Sequence, residues 1–191
     1  MTPIEVLVIR SRRHGDDRGW FQETWSRTRF EGLGIDCAFV QDNHSRSEAA
    51  GVVRGLHFQS PPHAQAKLVR CVRGAILDVM VDLRVGAPTY GQAYQVELSE
   101  ETGDQVFVPP CFAHGFVTLR PGTEVIYKVS APYAPDHEAG LAWDDPALDI
   151  DWPVEQAAAQ LSPRDRLWSR LADLNSPFVG TEPSRLRVVE A

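Results

Sequence analysis

Residues 51–84, GVVRGLHFQSPPHAQAKLVRCVRGAILDVMVDLR, decide the fold. Over residues 76–83 two sets of side chains alternate, Leu77, Val79, Val81 and Leu83 on one side and Ile76, Asp78, Met80 and Asp82 on the other. A period of two is that of a strand, and the all-aliphatic set assigns one of its faces to a core. Upstream, His57, Lys67, Arg54, Arg70 and Arg73 interrupt strand-like apolar sequence. Cations among apolar neighbours are costly unless they meet an anionic ligand or a carboxylate. The stretch therefore reads as the wall of a ligand site.

Further strand-length segments follow at 94–98, 105–108, 113–119 and 123–129, separated by Gly91, Gly103, Pro109-Pro110 and Pro121-Gly122. Regular short strands punctuated by turn residues predict an antiparallel sandwich or barrel, and no strand–helix–strand pattern competes. In the last of these segments Tyr127 shares a face with Val125 and Val129, and an inward tyrosine needs a partner for its hydroxyl. Nearer the N-terminus, residues 5–9 and 20–25 are predicted strands on either side of a charged turn that carries Arg18. Residues 30–35 read as a short helix or loop. Gln41, Asn43 and Ser45 alternate and share one face if that segment is extended.

After Tyr133 the sequence becomes irregular, with Pro135, Pro146 and Pro153 and the tryptophans Trp143 and Trp152. Ser162-Pro163-Arg164-Asp165 combines an N-cap residue, a proline at the first helical position and a carboxylate three residues past the cap. It predicts a helix running through Leu167, Leu171 and Leu174. Beyond Pro177 the chain is polar and aperiodic. The organisation expected is one domain over residues 1–176 and a peripheral tail over 177–191.

Composition narrows the classes. A net charge of −7 over 191 residues argues against a broad nucleic-acid or anionic-membrane surface, while leaving room for a local basic pocket. Three cysteines, Cys37, Cys71 and Cys111, form no CxxC pair and are odd in number. A disulfide framework or structural zinc is not expected from them, and they suit a reducing cytoplasm. The opening MTPIEVLVIRSRR is too short in its apolar run for a secretory segment, and no stretch approaches the ~18 apolar residues of a membrane span. A soluble cytoplasmic protein is expected, with no nucleic-acid or membrane partner.

No glycine-rich phosphate loop, nucleophile elbow or HExxH is present, which leaves polar residues on strands as candidates. His57 (in GLHF) and His114 (in AHGF) each sit in apolar context, where a structural histidine is the ordinary reading. Joined by Lys67 and Tyr127 on strands of one barrel, they supply a base, an electrophile and an acid.

The strings FVQDNHS, RGLHFQ, AQAKLVRC, VDLR, FAHGF, IYK and DDPALDIDWP, in that order from about Asp16 through Asp165, resemble the dTDP-4-dehydrorhamnose 3,5-epimerase family. The resemblance implies a mainly β, cupin-like antiparallel β-sandwich or jelly roll with a few short helices, chiefly C-terminal. It implies a homodimer that needs no cofactor and inverts C3 and C5 of a dTDP-4-keto-6-deoxyhexose. Position by position, His57 matches the general base, Asp165 its carboxylate partner, Tyr127 the acid on the opposite face and Lys67 the residue near the keto oxygen. Arg18, Glu23, Gln41, Asn43, Arg54, His114, Glu138 and Arg164 match positions that contact the nucleotide sugar, and Tyr133 an aromatic of the nucleotide region. Asp165 is also explained locally, as a helix-start residue.

Departures bear on metal chemistry. Where cupins often carry His-x-His with a glutamate, this chain has His57-Phe58-Gln59, and only His114 and, distantly, His63 remain to join His57. A tight site needs three or four ligands, so no catalytic metal is expected. Three other readings stay open at this level. They are a relative that inverts C3 alone, a cupin-like module that binds a nucleotide sugar without turning it over, and a metal-dependent cupin.

Overall fold

The computed structural model describes residues 4–191; the first three residues of the expected domain lie outside it. In chain order the strands are β1 (Ile4–Arg10), β2 (Arg13–Asp16), β3 (Gly19–Gln22), β4 (Gln41–Ser47), β5 (Val53–Gln59), β6 (Lys67–Arg73), β7 (Ala75–Asp82), β8 (Arg84–Val85), β9 (Ala93–Ser99), β10 (Gln105–Val108), β11 (Phe112–Thr118), β12 (Thr123–Val129), β13 (Glu138–Gly140), β14 (Phe178–Val179) and β15 (Ser184–Glu190). One α-helix, α1 (Arg27–Gly32), is accompanied by short 3-10 turns.

Two sheets face each other, a six-stranded one ordered β15-β1-β10-β6-β12-β4 and a five-stranded one ordered β13-β5-β11-β7-β9. Neighbours are antiparallel except β1 with β15. This is the cupin-like sandwich expected. Alternation sends Val6, Val69, Cys71, Val106, Val108 and Val125 from one sheet, and Ile76, Met80, Phe112 and Phe116 from the other, into a shared core. The opposite face of the six-stranded sheet is covered too, by α1 and its flanks, through Leu7, Ile9, Leu68, Phe30 and Ile35.

β7 departs from the one-sided strand expected, since seven of its eight residues are buried. The irregular stretch after β13 packs Trp143, Ala159 and their neighbours onto Val53 and Val117 of the five-stranded sheet. That sheet is therefore sandwiched on both sides.

Three expectations need correction. The predicted strand over 20–25 ends at Gln22. The helix predicted from Ser162 is only two 3-10 turns, Asp165–Leu167 and Leu171–Asp173. Its cap bond does form, the Asp165 N–H donating to Ser162 Oγ at 3.1 Å, but Trp168 is already extended and Ser169 bridges to Leu141. Tertiary pairing has overridden the local helix signal. Lastly, the tail expected to lie at the periphery is built into the fold: β15 runs parallel to β1 over seven residue pairs, and β14 pairs with β8.

Candidate active site

The walls of the site come from the two facing sheets. On the five-stranded sheet His57 of β5 lies directly across from His114 of β11. On the six-stranded sheet Tyr127 of β12 is opposite Val69, and Lys67 is opposite Val129, so Tyr127 and Lys67 are diagonal neighbours on the inward face. All four line one cavity of about 260 Å³. Ser45, Arg54, Phe116, Glu138, Ser162, Arg164 and Asp165 complete its lining.

Arg54 reaches the same cavity as His57 because β5 is irregular. Residues three apart on a regular strand point to opposite faces. Here three steps on β5, Arg54 to His57, match two on β11, Phe116 to His114, a bulge that returns both side chains inward. Gly55 makes it possible: its φ is +124°, and a Cβ there would sit 2.6 Å from the Cα of Gly115.

Asp165 enters from the turn after Ser162. Its Oδ1 lies 2.5 Å from His57 Nε2, and it is only 5% exposed. An ionised carboxylate only accepts, so Nε2 carries the proton and Nδ1 keeps its lone pair. Burial opposes the Asp165 charge. The hydrogen bonds from His57, Trp168 and Ser162 outweigh it and hold the carboxyl below its ordinary range.

The other wall is tuned by desolvation. Burial pushes the Lys67 ammonium down to about 8 against the pull of Asp78 and Glu138, and its Nζ donates to the His57 carbonyl at 3.3 Å. Burial raises the Tyr127 phenol above its ordinary value, with Arg54 acting in the opposite sense and Glu138 reinforcing the rise. His114 donates from Nε2 to Asp78 Oδ1 at 2.8 Å; burial lowers its pKa, Asp78 opposing, so the ring is held neutral.

The mouth holds a polar cluster. Tyr133 donates to Glu138 Oε2 at 2.7 Å, Arg164 pairs with Glu138, and Arg164 Nη1 donates to Tyr133 Oη at 3.3 Å. Gln41 Oε1 accepts from the Tyr133 N–H, and Gln41 Nε2 donates to Asn43. Asn43 stands across from Tyr127, and Gln41 and Ser45 share its face, as the alternation predicted.

Two of the residues carried over from the resemblance are not brought here in the single chain. Arg18 sits in the exposed β2–β3 hairpin, paired with Asp16 at 2.6 Å, and Glu23 pairs with Arg29. His63, the distant metal candidate, lies against His137 with ring centroids 4.4 Å apart and planes tilted by 51°. Sequence reasoning missed Asp78 and Trp168. Asp78 had a signal, a lone carboxylate between Ile76 and Met80, which marks a buried acid awaiting a partner. Trp168 had none, because the predicted helix left it without a role.

The cupin-like sandwich is that of solved epimerases, enzymes of the isomerase class. The family model described as dTDP-4-dehydrorhamnose 3,5-epimerase matches residues 2–173, and the chain belongs to that family. The Sinorhizobium fredii dTDP-4-dehydrorhamnose 3,5-epimerase is 51% identical over 174 residues, 91% of this chain and 89% of its own length. Among solved structures, the Legionella pneumophila dTDP-6-deoxy-D-glucose-3,5-epimerase in complex with dTDP-4-keto-L-rhamnose superposes with a TM-score of 0.84 at 39% identity, covering 94% of this chain and 98% of that one. ChmJ, a 3'-monoepimerase from Streptomyces bikiniensis in complex with dTDP-quinovose, has a TM-score of 0.82 at 34% identity, covering 90% and 88%.

Proposed function

We propose that the protein converts dTDP-4-dehydro-6-deoxy-D-glucose to dTDP-4-dehydro-L-rhamnose by inverting C3 and C5. The observation that carries this reading is the pair of proton carriers on opposite walls of one cavity, His57 on β5 and Tyr127 on β12. The C4 ketone acidifies hydrogens on both neighbouring carbons, and inversion needs removal from one face and return from the other. His57 is the base, oriented by Asp165, and Tyr127 is the acid. Lys67, charged at neutral pH, stabilises the enolate oxygen. Arg54 and Arg164 receive the diphosphate, for which guanidinium groups are suited by bidentate geometry. No step needs a cofactor.

Proton NMR in deuterated water tests the reading. Deuterium should enter at both C3 and C5, and His57→Ala should abolish it while nucleotide affinity persists. Exchange confined to C3 would make the protein a single-centre epimerase; full turnover by the variant would remove the base.

The reading includes a homodimer and a cytoplasmic location. Trp20 and Phe21, 56% and 69% exposed on the hairpin beside Arg18, favour a second copy covering that surface and presenting Arg18 and Glu23 to a neighbouring cavity. Sedimentation analysis should give twice the monomer mass. The free thiols of Cys71 and Cys111, both raised by burial to about 11, suit a reducing compartment.

A further inference from the structure

Trp168 meets the catalytic pair at two points. Its indole Nε1–H donates to Asp165 Oδ1 at 3.2 Å, the same oxygen that accepts from His57. Its ring stands edge-on to the imidazole, with centroids 5.9 Å apart and planes at 74°. The indole is itself held. Gly140 pairs across from His57, and a Cβ on it would come within 2.7 Å of Trp168 Cδ2, so the ring occupies the space that a side chain there would fill. Behind the ring, the Ala142 N–H donates to the Ser169 carbonyl at 2.9 Å, fixing the backbone next to it. The Arg164 guanidinium lies 5.4 Å from the ring centroid on another side.

We infer that Trp168 is a positioning residue for the proton transfer: its N–H shares Asp165 Oδ1 with the imidazole, and its ring fixes the plane in which His57 works. The inference rests on the reading of His57 as base. A carboxylate oxygen that accepts two hydrogen bonds offers less negative charge to each donor, so the indole weakens the hold of Asp165 on the imidazolium. Lys67, His114, Tyr127, Glu138 and Arg164 also line the cavity with the imidazole; Arg164 lies against the indole, and Trp168→Phe keeps an aromatic face for it.

The test uses two variants of the full chain. Trp168→Phe keeps a ring and loses the donor. The Nε2 proton that His57 shares with Asp165, followed by NMR, should move downfield as the undivided carboxylate takes a stronger hold on it. Because the ring stays, kcat should fall less than in the leucine variant, and dTDP affinity should not change. Trp168→Leu loses ring and donor, and kcat should fall about ten-fold or more while dTDP affinity changes less than about three-fold. An Nε2 proton resonance unmoved in Trp168→Phe overturns the inference, as does a Trp168→Leu loss that appears in dTDP affinity instead of kcat. The NMR signature does not depend on turnover, so it can fail while the functional reading stands, and deuterium exchange in the parent protein can fail while the downfield shift survives.

Discussion

Nε2 of His57 lies 2.5 Å from Oδ1 of Asp165, a residue 108 positions later that arrives on a turn outside both sheets. The contact fixes which ring nitrogen keeps a lone pair, and so which one would act in the proposed proton abstraction. Asp165→Asn keeps the shape, but its amide can donate to Nε2 and drive the ring proton to Nδ1, removing the lone pair that abstracts. We expect kcat to fall roughly 10²- to 10⁴-fold with dTDP affinity nearly unchanged, read by steady-state kinetics and by calorimetric titration with dTDP.

The proposed mechanism gives Tyr127 and His57 opposite faces of the substrate, so removing the phenol should separate exchange from inversion. In Tyr127→Phe the imidazole still abstracts and returns a proton, but only on its own face. Deuterium should enter the substrate with retained configuration, and inversion should slow by about 100-fold or more. Product stereochemistry and isotope content, read from the same NMR sample, check this. Inversion keeping pace with exchange would mean that another group delivers the second proton.

Lys67 predicts opposite effects on activity and stability. Its pKa near 8 lies below the ~10.4 of a solvated lysine, because burial disfavours the charge. Between those two pH values the unfolded chain binds more protons than the native one, so this residue makes stability rise with pH across that window. Below about pH 8 the native state carries a buried cation at a cost. Lys67→Met should therefore stabilise the protein at pH 7 by roughly 1–3 kcal/mol, seen as a higher urea midpoint, while turnover collapses with loss of the cation at the enolate. In the parent, kcat should decline above about pH 8 as the same proton leaves.

What could be read from the sequence followed from periods short enough to fit inside one strand. The alternation of Gln41, Asn43 and Ser45 placed three polar groups on the face that also carries Tyr127. The aliphatic runs gave the strands from β9 to β12 nearly to the residue. Pairings set by the third dimension were hidden. Nothing local says that Asp78 will meet His114, that β5 bulges to turn Arg54 inward, or that Ser162-x-x-Asp165 will make its cap bond and then stop. The reach from His57 to Asp165 came only from the resemblance. The most complete miss was the C-terminus, where polarity and lack of period concealed a strand lying on a sheet edge.

That strand yields the last prediction. β15 covers β1, whose Val6, Leu7, Val8 and Ile9 are all buried. Ser184, at its start, donates to the buried Asp82 at 2.8 Å and takes the Thr89 hydroxyl as acceptor for its own N–H at 2.9 Å. Asp82 in turn holds Arg84 at 2.6 Å, where both side chains are almost fully enclosed. Ser184→Ala removes one hydrogen bond to a buried charge and should cost about 1–2 kcal/mol in chemical unfolding. Ending the chain after Pro183 goes further: it bares a row of unpaired backbone groups along an apolar strand, an edge that invites association. The shortened protein should melt at lower temperature and form aggregates on gel filtration. A truncation that melts with the parent and stays in its oligomeric state would mean that β15 contributes nothing to the fold.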